Sequence, residues 1–335
     1  MKHAFRPPRH KIHISWLLPY LRNRRILAGL GIFLIVFASL ITVQAHRNRT
    51  NQPAAAANQP ANAHQIAQKQ RHVKHQLHHY LKSVTADGTA SVSFYNLGPA
   101  AGSAAAKSAT ATKFYKSGAL ATSANAHTPE ISASTYKLYI AAYLFHQHAA
   151  GLYTWTPAEE DGFQRMIVNS ANDFSEDVID THGPVALDDY LASRHYYSPT
   201  FVSGQVATTT AYSLTLVLKD LATQSGPFSH AKDQQKLLSL MKQQVYRTGI
   251  PAGATAAKKG TVVADKVGFL ADTNNDAAIV TLPNGERYIL VIMTHGHEQA
   301  GFSGFPRMAK IATHVQKLVY DPAIVKGISK SIASE

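Results

Sequence analysis

The longest uninterrupted apolar run is Ile26 to Ala45 (ILAGLGIFLIVFASLITVQA), 20 residues without a charge, about the length that crosses a bilayer as a helix. Residues 46–65 (HRNRTNQPAAAANQPANAHQ) repeat Asn-Gln-Pro and are rich in Ala, the pattern of a linker. Residues 66–82 (IAQKQRHVKHQLHHYLK) predict a short basic helix, read here as a solvated stalk. A globular pattern starts near Ser83. SVSFYNL (91–97) alternates as a strand does, and AAGSAAAKSATAT after it is a low-complexity loop. ISASTYKLYIAAYLF (131–145) is an apolar helix with a polar entry. From Pro157 to Gln224 the period is helical, clearest in GFQRMIVNSANDFSEDVI and TTTAYSLTLVLKDLA. After Ile250 come three strand patterns, GTVVADKVGFL, DAAIVTL and RYILVIMT, with a Pro283-Asn284-Gly285 hairpin turn between the last two. FPRMAKIATHVQKLVYD is a closing helix. The expected fold is α+β, an antiparallel sheet flanked by helices with a helical subdomain inserted midway. The expected segments are 1–25 as a basic tail, 26–45 as an anchor, 46–82 as linker or stalk, and 83–335 as the folded domain.

Charge sharpens this layout. The net charge is +13, yet the first carboxylate is Asp87, and from there on 20 Lys/Arg balance 20 Asp/Glu. The excess therefore lies beside the apolar run rather than on the folded body, which argues against a nucleic-acid-binding face. Arg22, Arg24 and Arg25 precede the run, so the positive-inside rule keeps the N-terminus in the cytoplasm and puts the rest outside the membrane. The competing expectation is secretion after cleavage behind VQA (43–45). His72, His75 and His79 could share one helix face and suit a metal, against the plainer reading of a basic stalk touching anionic wall polymers by charge. With no cysteine in 335 residues, disulfides, thiolate zinc sites and cysteine nucleophiles are excluded.

The candidate chemistry lies in three short motifs, each with decoys. SxxK occurs at Ser134–Lys137, Ser229–Lys232 and Ser239–Lys242, but only the first heads an apolar helix. There the two side chains sit one turn apart on one face, and desolvation would lower the lysine pKa towards that of a general base. Ser-Ala-Asn occurs at Ser123–Asn125 and Ser170–Asn172, the second between apolar helical turns. Lys-x-Gly occurs at Lys116, Lys258 and Lys266, and only Lys266-Val267-Gly268 stands in a strand followed by a hairpin; a glycine there would let a substrate backbone approach.

In this order and context, Ser134-Lys137, Ser170-Asn172 and Lys266-Gly268 resemble the serine β-lactamase and penicillin-binding-protein superfamily, its class A β-lactamase-like branch most. YRTGIPAG (246–253), NDAAIVTLPNGERYILVIMT and TTTAYSL (208–214) resemble the flanking segments of that family, over roughly Ser91 to Tyr320. The resemblance implies a serine hydrolase working through an acyl-enzyme, without metal or cofactor. It implies Ser134 as nucleophile and Lys137 as its base. Ser170 would relay a proton to the leaving nitrogen, and Asn172 would hold Lys137 and the substrate amide. Lys266 would supply positive potential, and the amides of Ser134 and Phe269 would form the oxyanion hole.

Two departures stand out. Val267 replaces the usual Thr or Ser and cannot donate to a substrate carboxylate. From Leu191 to Leu216 there is no acid to activate a deacylating water; Asp188 and Asp189 are the nearest upstream, with turn capping as their ordinary use. The expected activity is therefore slow opening of β-lactams. The alternatives are a D,D-peptidase-like enzyme on wall stem peptides, inhibited by β-lactams, and a non-catalytic wall-binding relic, against which five intact motif residues argue.

Overall fold

The computed structural model describes residues 55–333. The chain divides into residues 1–61 and a larger compact unit, Asn62–Glu335. The basic tail and the apolar run 26–45 lie outside the described residues; among those described, no helix is long and apolar enough to cross a membrane. In chain order the elements are α1 (Ala55–Val84), β1 (Ala90–Leu97), α2 (Ala104–Lys107), α3 (Ala109–Phe114), β2 (Thr122–Ala124), β3 (Glu130–Ile131), a 3-10 turn (Ala133–Tyr136) and α4 (Lys137–Ala149). Then follow α5 (Pro157–Val168), α6 (Asp173–His182), α7 (Pro184–Ser193), β4 (Thr208–Thr209), α8 (Ala211–Ala222) and α9 (Ala231–Lys242). The chain closes with α10 (Ile250–Ala257), β5 (Val262–Leu270), β6 (Thr273–Thr281), β7 (Arg287–Thr294), α11 (Phe305–Tyr320) and α12 (Pro322–Ala333).

The main sheet is antiparallel throughout, in the order β2-β1-β7-β6-β5. It separates two apolar cores, and strand alternation assigns each residue to one of them. On β7, Ile289, Val291 and Met293 face the first core, and Tyr288, Leu290 and Ile292 the second. The first core is shared with α4, α5 and α8, which make up much of the inserted helical part. The second is shared with α1 and α11. The expected α+β architecture is thus present, with helices on both faces of the sheet. The expected hairpin is present too: Leu282 N donates to Glu286 O at 2.8 Å, and Gly285 takes φ +90°.

Two expectations need correction. Residues 66–82 are not a free-standing solvated stalk, and the folded unit starts before Ser83. Ile66, Val73, Leu77 and Leu81 form a stripe at helical spacing that is 0–5% exposed in the second core. Each such side chain contributes roughly 1.5–3 kcal/mol by leaving water. The opposite face of α1 carries Arg71, His72, Lys74, His75, His78, His79 and Lys82, all exposed. The low-complexity segment after β1 is also not a plain loop. Its alanines form α2 and α3, because Ser103 Oγ accepts from Ala106 N and Ser108 Oγ from Ala111 N, each at 3.2 Å, capping both helix starts.

Candidate active site

The site is built around a strained turn. Ala133, directly before Ser134, has φ +41°, a left-handed conformation that costs a non-glycine residue roughly 1–2 kcal/mol. Neighbours hold it there. Ser132 N and Oγ both donate to Ala207 O at 2.9 Å. Thr135 Oγ1 donates to Ser132 O at 2.6 Å, and Asn275 Nδ2, from β6, donates to Ile131 O at 2.8 Å and Ser132 O at 3.0 Å. From β5, Gly268 completes the cradle: a Cβ there would lie 2.9 Å from Ser132 O and from Ser134 N. The glycine therefore admits the nucleophile's turn, rather than a substrate backbone as the motif alone suggested. The turn runs straight into α4, whose first residue is Lys137.

Lys137 is fully buried, and its amine has three partners. Nζ lies 3.0 Å from Ser134 Oγ, 2.7 Å from Ser170 O and 2.6 Å from Asn172 Oδ1. The two carbonyl oxygens can only accept. A neutral amine has two N–H bonds and one lone pair, so when both carbonyls are served the lone pair is left for the Ser134 O–H. Burial pushes the Lys137 pKa down to about 8, with the charges of Glu176 and Asp173 pulling it back up. The amine can thus be neutral near neutral pH.

Ser170 stands in the break between α5 and α6, at φ +61°, which aims its carbonyl at Lys137 and its hydroxyl at β5. Lys266 Nζ donates to Ser170 Oγ at 2.8 Å and to Val267 O at 2.9 Å. Burial, then the Lys137 charge, holds the Lys266 pKa well below the usual amine range, offset in part by Asp265 and Asp276. Asp265 is in turn held well above the usual carboxylate range by burial and by Asp276, against the pull of Arg247, whose Nη1 lies 2.9 Å from Asp265 Oδ1.

Five of the sequence candidates, Ser134, Lys137, Ser170, Asn172 and Lys266, are therefore joined in one hydrogen-bonded chain. Above it lies an open cavity of about 230 Å³, lined among others by Ser134, Tyr136, Asn172, Glu176, Val206 and Phe269. Val267 is the exception. It is 0% exposed and points into the second core, because neighbours on a strand face opposite sides and Lys266 points to the site. Its side chain is not part of the pocket wall, so the expected loss of a contact to substrate at that position does not follow. The decoys lie elsewhere: Ser229, Lys232, Ser239 and Lys242 are all exposed, and Asn125 Nδ2 binds the Thr85 and Ala90 carbonyls.

Known structures share this fold. The chain matches the β-lactamase enzyme family over residues 160–322. A variant of PBP-A, in its acyl-enzyme complex with penicillin G, superposes with a TM-score of 0.56 at 19% identity over 78% of this chain and 97% of that one. A β-lactamase from Sphaerobacter thermophilus gives 0.56 at 16% identity over 72% and 95%, and one from Xanthomonas campestris pv. campestris 0.57 at 16% over 74% and 98%. The fold is the one these β-lactamases and PBP-A share, and residues 160–322 carry the family match. No curated protein matches it in sequence. The superfamily match begins at residue 160, downstream of Ser134 and Lys137, and identities this low establish the fold alone. The chemistry of the site therefore rests on its own geometry.

Two residues at the site escaped sequence reading. Asn275 offers no motif, since it reaches the turn only through the pairing of β5 with β6. Glu176 had a signal: it lies four residues after Asn172, and so on the same face of α6. The facing wall, residues 194–207, carries no acid. Asp188, upstream of it, accepts from Thr200 N at 2.7 Å and Phe201 N at 3.1 Å, which is turn capping. Among the described residues, one group could gather around a metal: His148, His230 and Asp233; His72, His75 and His79 form no such group. The two imidazole Nδ1 atoms lie 2.7 and 2.9 Å from the same Asp233 oxygen. Donor atoms around a tetrahedral zinc stand about 3.3 Å apart, given bonds of about 2.0–2.1 Å. The shorter spacing is that of hydrogen bonds, which tie the end of α4 to the start of α9.

Proposed function

We propose that the protein is a serine hydrolase that takes the acyl group of a β-lactam or related amide onto Ser134 and releases it slowly. One observation carries this reading: the Lys137 amine is held by two carbonyl oxygens with its remaining valence directed at Ser134 Oγ. In the proposed reaction Ser134 gives its proton to neutral Lys137 as Oγ adds to the carbonyl carbon. The amides of Ser134 and Phe269 receive the oxyanion, each donor worth about 3 kcal/mol in comparable sites. The C–N bond then breaks, and the proton passes through Ser170 to the leaving nitrogen. Asn172 holds Lys137 and the substrate amide, and Lys266 tunes Ser170. Slow release is inferred from the acid-free wall facing Ser134.

Incubation with penicillin G followed by intact-mass spectrometry tests the reading. A penicilloyl adduct should form on Ser134 and persist for minutes or longer, and Ser134→Ala should abolish it with the thermal melt nearly unchanged. Rapid consumption of penicillin with no adduct, or labelling at Ser229 or Ser239, would refute it. A D,D-peptidase-like activity on wall stem peptides is the second reading, favoured by the same wall. It requires the adduct to block cleavage of a peptide substrate.

We also propose that residues 26–45 anchor the chain with the hydrolase domain outside the membrane, and that the basic face of α1 contacts anionic wall polymers. Protease added to intact cells should then digest residues after Ala45 and spare residues 1–25, and binding to isolated walls should weaken with salt. A protected C-terminal domain would reverse the topology.

A further inference from the structure

We propose that Glu176 is the carboxylate that activates the water which deacylates Ser134, so that α6 supplies what the facing wall lacks. The inference rests on the acyl-enzyme reading above. Three observations lead to it. First, Glu176 lines the same cavity as Ser134, and that cavity has room for several waters at about 30 Å³ each. Second, its carboxylate is uncommitted: among the described residues it makes no ion pair or side-chain hydrogen bond. The other acid opening α6, Asp173, is paired with Arg165 Nη1 at 2.5 Å. Third, its negative charge is felt at the Tyr136 hydroxyl and at Lys137, the residues that close the nucleophile's turn. Among the described residues lining that cavity Glu176 is the one acid, and Asp188 has both oxygens on the amides of Thr200 and Phe201.

The step balances without a co-reactant. Water gives a proton to the Glu176 carboxylate as its oxygen adds to the ester carbon. The C–Oγ bond then breaks, and the proton returns through the Lys137 amine to Ser134 Oγ. The acyl group leaves as a carboxylic acid. Glu176 is exposed on the rim rather than enclosed, which fits slow release rather than none.

Penicillin G provides the test, with adduct formation and adduct lifetime followed separately by intact mass and penicillin loss by absorbance. Glu176→Gln should lengthen the lifetime about 100-fold, the lower end of what a placed base contributes. It should leave the maximal rate of adduct formation within about 3-fold, and Glu176→Asp should restore part of the release. The Gln variant should also move the pH profile of adduct formation to lower pH, because the charge that holds the Lys137 pKa up is gone. A shifted formation profile with an unchanged lifetime would show that Glu176 acts only through Lys137, and overturns the proposal while sparing the acyl-enzyme reading. If the natural chain neither forms an adduct nor consumes penicillin, the acyl-enzyme reading fails and this inference fails with it.

Discussion

The two walls of the Ser134 pocket are made in opposite ways. On one side the turn at Ala133–Tyr136, the heads of α4 and α6, and β5 converge, and the polar atoms beneath Ser134 are matched: Lys137 to two carbonyls and a hydroxyl, Ser170 to Lys266, Ser132 to Ala207. The other side, reached by Val206 and Ala207, presents apolar side chains and no acid. The first wall is equipped to make an ester and the second is not equipped to break it. Acylation and deacylation are thus separate structural problems here, carried by different residues, and one can be altered without the other.

The largest effect that would break this comparison comes from the first wall. Lys137→Ala should slow adduct formation by about 10²- to 10⁴-fold, the usual contribution of a positioned base, or roughly 3–5 kcal/mol. Lys137→Arg should do no better, because a guanidinium keeps its proton throughout the working range. The same amine sets a pH dependence. Its pKa is lowered to about 8, and only the neutral form can take the serine proton. Adduct formation should therefore rise with pH, fall about tenfold per unit below that value, and level off above it. Stopped-flow measurement between pH 6 and 9 decides this; a flat profile would mean that some other group is the base.

The legible parts of the molecule were those where local pattern and tertiary use coincide. Strands β5 to β7 declare themselves by alternation, and the SxxK, SAN and KxG residues by the apolar elements they interrupt. What stayed hidden depends on contacts distant in sequence. The stripe Ile66, Val73, Leu77, Leu81 was present at helical spacing, but a run of basic residues and histidines masked it as a stalk, and only the sheet face it covers reveals its use. The burial of Val267 follows from strand parity, which motif spacing does not carry: Val263 and Val267 face one core while Ala264 faces the other. Asn275 comes to the site from a neighbouring strand with no motif to mark it, and Glu176 is marked only by its spacing from Asn172 on α6.

The smallest predicted effect sharpens the contrast from the second wall. Asp188 is the carboxylate nearest in sequence to the acid-free loop, and the natural suspect for a replacement base. Its position argues for another task. Oδ1 accepts from Thr200 N at 2.7 Å, Oδ2 from Phe201 N at 3.1 Å, and its carbonyl from Ser198 Oγ at 3.0 Å. Those bonds fix the loop so that Phe201 meets the Tyr136 ring edge to face, with centroids 5.6 Å apart. Asp188→Asn keeps one acceptor and loses the charge that strengthens both amide bonds. Stability should fall by about 1 kcal/mol, since hydrogen bonds to charged groups are worth roughly 1.5–3 kcal/mol and one survives in weaker form. The lifetime of the Ser134 adduct should change by less than about 3-fold, the scale of a slightly loosened wall. A lifetime lengthened about 100-fold with little loss of stability would instead make Asp188 the base. In that event the second wall is not bare, and the contrast between the two sides of the pocket does not hold.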